Sequence, residues 1–187
     1  MVSAELGTSR DNLAVRFERQ GDRHAHVLIA AQTMIGQSIE GRNDESWPSS
    51  PPLQQLSIED FGTGPVALLV GMAGRSHWSM SVETGEDGSV FDVACRVKGA
   101  PEQLGSTYRL DGFRLESPEA ICLRSIALTN ERGELSISWD DDETLEKCQL
   151  RWDAENHRLQ IAAVDFSDDA ETLRWRYRIR WTSQNSS

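Results

Sequence analysis

The sequence predicts an all-β domain, an antiparallel β-sandwich or flattened β-barrel of about ten strands with at most one or two short helices. Two observations support this prediction. Apolar and polar residues alternate strictly in several segments, which places successive side chains on opposite faces of an extended chain. The segments between them are rich in Gly, Asp and Asn, the residues that tight turns require. A chain of 187 residues can bury a sizeable core as one domain, without a metal or a disulfide to hold it.

The alternating segments and the turns between them define the expected strands. The apolar positions of these segments are Leu13, Val15 and Phe17; Trp78, Met80 and Val82; Phe91, Val93, Cys95 and Val97; Leu135, Ile137 and Trp139; Cys148, Leu150 and Trp152; and Leu159 and Ile161. Turn-rich segments at 84–89, 130–133 and 153–156 each predict a hairpin between antiparallel strands. We expect the core to contain Val15, Phe17, Leu69, Met80, Val82, Phe91, Val93, Leu135, Ile137, Trp139, Leu150, Ile161 and Tyr177.

Two segments depart from the strand pattern. Residues 50–53, Ser-Pro-Pro-Leu, combine an N-cap residue with proline in a first helical turn and predict a short helix. Residues 117–120 begin in the same way, but 121–128 also suit a buried strand, which we favour. The Pro- and Ser-rich stretch 41–52 predicts an irregular loop within a single β domain spanning 1–187, whose ends at 1–10 and 183–187 are expected to fray.

Charge and composition limit the partners. With 30 acidic and 19 basic residues the net charge is -11, which repels nucleic acid and anionic membranes. No apolar stretch approaches the roughly 18 residues of a membrane span, and the N-terminal segment lacks the pattern of a secretory signal. Cys95, Cys122 and Cys148 are widely spaced, so buried thiols in a cytoplasmic protein are expected, although a bridge between two of them stays open. We expect no cofactor, no nucleic-acid partner and no membrane partner.

Two histidines suggest one alternative function. His24 and His26 are two residues apart and would project from one face of a strand, as paired imidazoles do in metal-dependent β-barrel enzymes of the cupin type. His77 could supply a third ligand. The glutamate that such sites place shortly after the second histidine is missing, so the favoured interpretation is that His24 and His26 are surface or half-buried strand residues beside Arg23. The alternative is a metal-dependent enzyme using His24, His26 and His77.

The stretch 71–78, Gly-Met-Ala-Gly-Arg-Ser-His-Trp, motivates the leading function. Its glycines, Arg75, His77 and Trp78 could meet a sugar or an anion, with Trp47 as a second exposed ring. It matches neither a phosphate-binding loop nor a nucleophile elbow. A glycine-containing turn between two strands is the favoured local structure. The leading hypothesis is a non-catalytic binding or interaction module for a carbohydrate or other polar small ligand, with Arg75, His77, Trp78 and Trp47 as ligand-binding residues.

The segment from Arg174 to Trp181 suggests a third function. Arginines alternate with apolar residues there, which places the guanidinium groups on one face and the rings on the other. We expect the rings to join the core and the arginines, Arg176 and Arg178 in particular, to pair with the acidic runs 140–143 and 168–171. As the last regular element, this strand could lie at a sheet edge and add to a partner's sheet. A protein-assembly role through this strand is therefore the second alternative.

Overall fold

The computed structural model describes residues 2–7, 13–42, 44–98, 101–115, 124–140, 148–163 and 172–184. Within these ranges the chain forms fifteen β-strands and no helix. The strands are β1 (Val2–Leu6), β2 (Ala14–Gln20), β3 (Arg23–Ala30), β4 (Thr33–Ser38), β5 (Leu53–Asp60), β6 (Pro65–Ala73), β7 (Ser76–Gly85), β8 (Gly88–Arg96), β9 (Leu104–Arg109), β10 (Arg114–Leu115), β11 (Ser125–Asn130), β12 (Gly133–Trp139), β13 (Cys148–Asp153), β14 (Arg158–Ala163) and β15 (Thr172–Ser183). A helix that is long and apolar enough to span a membrane does not occur in this described part of the chain.

The strands form two antiparallel sheets. A seven-stranded sheet has the order β1-β2-β3-β4-β9-β14-β13, and an eight-stranded sheet has the order β10-β11-β12-β15-β8-β7-β6-β5. The sheets pack face to face, since the ring of Tyr108 on β9 lies 6.4 Å from the rings of both Phe91 on β8 and Tyr177 on β15. The all-β antiparallel prediction is confirmed, and the arrangement is that of a sandwich. The expected number of strands was too low.

The hairpins predicted from turn composition are confirmed. Residues 84–89 join β7 to β8, 130–133 join β11 to β12, and 153–156 join β13 to β14, each pair antiparallel. Gly88 has a φ of 101°, and a Cβ at this position would lie 2.2 Å from the carbonyl oxygen of Ile179 on the neighbouring β15. Glycine is needed at this position because of both the backbone conformation and the close strand.

Some strands lack the alternation from which strands are predicted. Strand β3 is buried along its whole length: Leu28 belongs to the main core, while Val27 and Ile29 form a small second cluster with Ala14 on the other face of the sheet. A strand covered on both faces has no polar face, so its sequence does not alternate. Segments of this kind account for part of the underestimated strand number.

The short helix predicted at 50–53 is wrong, because β5 begins at Leu53 and no helix precedes it in the described residues. The Ser50 hydroxyl pairs with β9 instead of capping a helix: it accepts a 3.0 Å hydrogen bond from Thr107 N and donates one of 3.2 Å to Thr107 O. Residues 117–123 lie outside the described residues, and the strand favoured for 121–128 is seen from 125 onward. Residues 2–6, which were expected to fray, form β1 and pair with β2.

The expected core is largely confirmed. Every residue predicted to be in the core is buried except Trp139, which is half-buried and packs against the core. Cys95 and Cys148 are buried, and burial raises the pKa of the Cys95 thiol to about 12, whereas Cys122 lies outside the described residues. The expectation of buried cysteines is therefore confirmed at these two positions.

The edge position predicted for the C-terminal strand is wrong. Strand β15 lies inside the eight-stranded sheet, where it pairs with β12 on one side and β8 on the other. Its rings point into the core as expected, with Trp175, Tyr177 and Ile179 fully buried. Its backbone hydrogen-bonding groups along these pairings are used within the sheet, so the strand offers no open edge there to a partner.

Candidate functional site

The stretch 71–78 is a strand pair with a short turn. Strand β6 continues to Ala73 and β7 begins at Ser76, so only Gly74 and Arg75 form the turn, with Gly74 at a φ of 56°. The favoured local interpretation, a glycine-containing turn between strands, is confirmed. Arg75 is exposed at the tip, and His77 lies opposite Met72 across the two strands.

The two tryptophans chosen as ligand-facing rings are placed differently from expectation. Trp78 is buried at 2% exposure, and its ring packs edge-on against Trp175 with a centroid distance of 6.1 Å. Trp47 is half-buried and packs against the core, while its carbonyl oxygen accepts a 2.9 Å hydrogen bond from Gln103 Nε2. Trp78 therefore has no open face on which a sugar could stack.

His77 lies in a groove on the outer surface of the eight-stranded sheet, which we call the His77–Arg96 groove. Its volume is about 460 Å³. One wall is a row of directly opposed residues on four neighbouring strands, Met72, His77, Arg96 and Thr172. Opposed residues on neighbouring antiparallel strands have Cβ atoms about 5 Å apart, so the four side chains stand side by side.

The depth of the groove follows from small side chains in the next row. Val70, Ser79 and Ala94 are opposed on β6, β7 and β8, and all three line the groove. The short side chains of Ser79 and Ala94 leave a depression beside the longer His77 and Arg96. A concave surface therefore arises on a sheet face that would otherwise be flat.

The β5 side of the groove is fixed by a β-bulge. The register of β5 on β6 shifts between Leu53 and Gln55, and the Gln54 amide occupies the place of a backbone partner. Gln54 Oε1 accepts a hydrogen bond from Met72 N and Gln54 Nε2 donates one to Met72 O, both at 2.9 Å. A Cβ on Gly71 would lie 1.8 Å from the Pro52 carbonyl oxygen, so glycine alone allows this close approach.

The groove carries the positive charge of Arg96. Its described lining includes Arg96 and no Asp or Glu, and the Arg96 side chain makes no hydrogen bond or ion pair with any described residue. Arg96 is exposed, at the end of β8. In a chain of net charge -11, this part of the surface is locally suited to an anion.

The arginines of β15 are engaged differently. Arg174 pairs with Asp92, with a distance of 2.6 Å from Nε to Oδ1. Arg176 Nε lies 2.7 Å from Asp140 Oδ2, and Arg178 Nη2 lies 2.7 Å from Asp140 Oδ1. The predicted internal pairing of Arg176 and Arg178 with carboxylates is confirmed. Asp92, on the neighbouring strand, was not foreseen, and the acidic run 168–171 lies outside the described residues.

The three histidines of the metal hypothesis do not converge. His24 and His26 are buried in β3 of the seven-stranded sheet, so the expectation that they are surface or half-buried is wrong: both faces of this strand are covered. His77 is exposed on the eight-stranded sheet. Burial lowers the pKa of His26 to about 3, and burial together with the charge of Arg19 lowers the pKa of His24. Within the described ranges, no three His, Cys, Asp or Glu side chains are grouped so that they could hold a metal. The metal site expected as an alternative is therefore not assembled from these residues.

His26 belongs instead to a buried polar chain that links the sheets. Its Nε2 lies 2.7 Å from Tyr108 Oη, which shares a 2.7 Å hydrogen bond with Tyr177 Oη on the opposite sheet. Tyr177 also hydrogen-bonds Ser106, whose Oγ accepts a 3.4 Å contact from Trp175 Nε1. Burial raises the pKa of both tyrosines above the usual value, so they stay neutral. His26 Nδ1 is buried without a hydrogen-bond partner among the described residues, but the other groups of the chain bond one another across the core and specify how the two sheets meet.

Glu40 is a second polar group that the sequence did not reveal. Ser38 Oγ donates a 2.6 Å hydrogen bond to Glu40 Oε1, whereas Oε2 is buried and has no hydrogen-bond partner among the described residues. Burial raises the pKa of Glu40 to about 7, despite the nearby charge of Arg23. The Glu40 carboxyl is therefore a titratable group near neutral pH.

Two other concave regions have less suitable chemistry. A cleft of about 640 Å³ lies where three turns meet at one end of the sandwich, and Met34, Asp111 and Glu131 contribute to it. Its described lining has no net charge, because Asp111 and Glu131 balance Arg114 and Arg132, and Glu131 lies 3.9 Å from Arg132. A groove of about 450 Å³ near Arg176 and Arg178 uses cations that Asp140 already binds.

Comparison with known proteins does not add a relative. No protein-family model, no curated protein and no solved structure matches the chain. The His77–Arg96 groove, in which a guanidinium that pairs with none of the described residues lies beside apolar side chains, is the candidate functional site.

Proposed function

We propose that the protein is a non-catalytic binding module that takes up a small polar ligand in the His77–Arg96 groove. The observation that carries this proposal is the combination of the polar side chains of Arg96, His77 and Thr172 with the exposed apolar side chains of Val70 and Met72 in one concavity. Small-ligand sites share this composition, in which apolar contact supplies affinity and a few polar groups supply orientation.

The surroundings of His77 favour binding over catalysis. Ser76 is the hydroxyl nearest to His77 in sequence, but it is buried and accepts a 3.0 Å hydrogen bond from Lys98 N. Successive residues of a strand point to opposite faces, so the Ser76 hydroxyl and the His77 imidazole do not form a nucleophile and base pair.

The structure allows fewer classes of ligand than the sequence did. A sugar that stacks on tryptophan loses support, because the Trp78 ring lies in the core. Arg75 is at the tip of the turn and is not part of the lining. A ligand that hydrogen-bonds His77 and Arg96 and contacts the apolar side chain of Met72 agrees better with the groove.

The test is a thermal-shift and calorimetric screen of small sugars, sugar acids, amino acids and carboxylic acids. We expect a stabilising ligand whose affinity falls in His77→Ala. The matched control is Glu83→Ala, which removes an exposed side chain from the same face of β7 about 20 Å along the strand. Equal affinities in both variants, or no ligand in any of these classes, would contradict the proposal.

A further inference from the structure

We infer that the ligand of the His77–Arg96 groove is a small organic monoanion, a carboxylate joined to an apolar body. This inference rests on the proposed function and adds the chemical class. It is carried by the direct opposition of His77 and Arg96 on β7 and β8, in a groove whose described lining contains no acid.

The contrast with the next row of the sheet supports an anionic ligand. There, Arg174 is opposed to Ala94 and turns to Asp92, so a carboxylate of the chain already neutralises it. Arg96 ends its strand with no carboxylate within reach among the described residues. A guanidinium presents a planar pair of donors that matches a carboxylate, and the Arg96 fork is open to one from solution.

The apolar body follows from the other side of the groove. Val70 and Met72 are 47% and 46% exposed, although both are large apolar residues on a regular strand. They stand beside Gln55 and His77 on the same face of the sheet. An inorganic ion would leave this apolar surface in water, whereas a carboxylate with a ring or short alkyl chain would cover it.

The size and charge of the groove limit the ligand further. A volume of about 460 Å³ accommodates a ligand of small-molecule size. A polyanion such as nucleic acid would meet the repulsion of a chain with net charge -11 outside the groove. A compact molecule with one carboxylate can pair with Arg96 and is small enough to avoid repulsion by the acidic surface outside the groove.

Benzoate and its neutral isostere benzamide provide the test. Each is titrated at constant ionic strength into full-length protein carrying ¹³C-methyl methionine, with the Met72 methyl signal as the readout. We expect benzoate to bind about fivefold more tightly than benzamide, the size of one charge-assisted hydrogen-bonded contact at a solvated site. Arg96→Gln should remove this difference, and Arg96→Lys should restore part of it.

The matched control is Arg151→Gln, which makes the same change in net charge at an exposed position of β13 in the other sheet. It should leave the preference for benzoate intact, and the unfolding temperature of each variant establishes that it is folded. Equal binding of benzoate and benzamide at Met72 would overturn the anionic class and leave the proposed binding function standing. An equal response to sulfate would overturn the organic body. No shift of Met72 with either compound would overturn the carboxylate class, whereas the proposed binding function is overturned only when the whole screen of sugars, sugar acids, amino acids and carboxylic acids yields no ligand.

Discussion

Replacing Glu40 with Gln should stabilise the protein at alkaline pH and leave its stability at acidic pH almost unchanged. Burial raises the pKa of Glu40 from an ordinary 4.5 to about 7. Below pH 4.5 the carboxyl is protonated in the folded and the unfolded chain. As the pH rises towards 7 the unfolded chain loses this proton while the folded chain keeps it, so the stability that protonation supplies is progressively lost.

The magnitude follows from the two pKa values. A pKa of about 7 against 4.5 corresponds to roughly 3 kcal/mol of unfolding free energy, and the partial exposure of the side chain reduces our expectation to about 2 kcal/mol. Glutamine cannot ionise, yet its carbonyl oxygen can accept the hydrogen bond from Ser38 that Oε1 now accepts. The variant therefore keeps the local contact and removes only the ionisation.

Urea unfolding followed by tryptophan fluorescence at about pH 4.5, 6 and 8 measures this effect. The difference in unfolding free energy between Glu40→Gln and the wild type should grow with pH. His26, whose pKa of about 3 in the folded state costs stability below pH 6.5, acts equally in both proteins and cancels from the difference. Glu59→Gln, the same change at an exposed position of β5, is the control. If the unfolding free energy of Glu40→Gln differs from that of the wild type by the same amount from pH 4.5 to pH 8, the reasoning is refuted.

Two further predictions concern the frame of the groove and the paired arginines. Gly71→Ala should cost about 3 kcal/mol of unfolding free energy, because the added Cβ would meet the Pro52 carbonyl oxygen. Gly85→Ala is the control and should cost far less, because the space around Gly85 is open. Similar urea midpoints for the two variants would contradict the close approach of Gly71 to Pro52. Asp140→Asn should lower the unfolding free energy by about 1–2 kcal/mol, because it weakens the charged hydrogen bonds from Arg176 and Arg178. Urea unfolding measures this loss, and an unchanged midpoint would mean that these ion pairs contribute nothing to stability.

The sequence predicted those strands that have one face in water. Strands such as β7 and β8 alternate because Met80 and Val93 point inward while Ser79 and Ala94 point outward. The alternation fails for β3, where both faces are buried. Strands of this kind are missed when alternation is the criterion, so the predicted number of strands was too low, whereas the predicted fold class was correct.

Of the two residues that define the candidate site, only one was predicted from the sequence. His77 was selected from its unusual neighbours, but Arg96 was not, although the signal was present: a two-residue turn at Glu86 and Asp87 pairs position 77 with position 96. Counting outward from a hairpin turn fixes the register and would have found the pair. The contact between Tyr108 and Tyr177 joins strands of different sheets, and no local pattern predicts which residues meet across a core.

The central claim is that the ligand binds at the His77–Arg96 groove, and the methionine methyl spectrum tests it most directly. Met72 lies in the groove, Met34 in the cleft at the end of the sandwich and Met80 in the core, so each reports on a different place. Titration with ligands from the screen should shift the Met72 methyl signal in a saturable way and leave Met34 and Met80 in place. Saturable shifts at Met34 with Met72 unmoved would place binding at the turns and contradict the account.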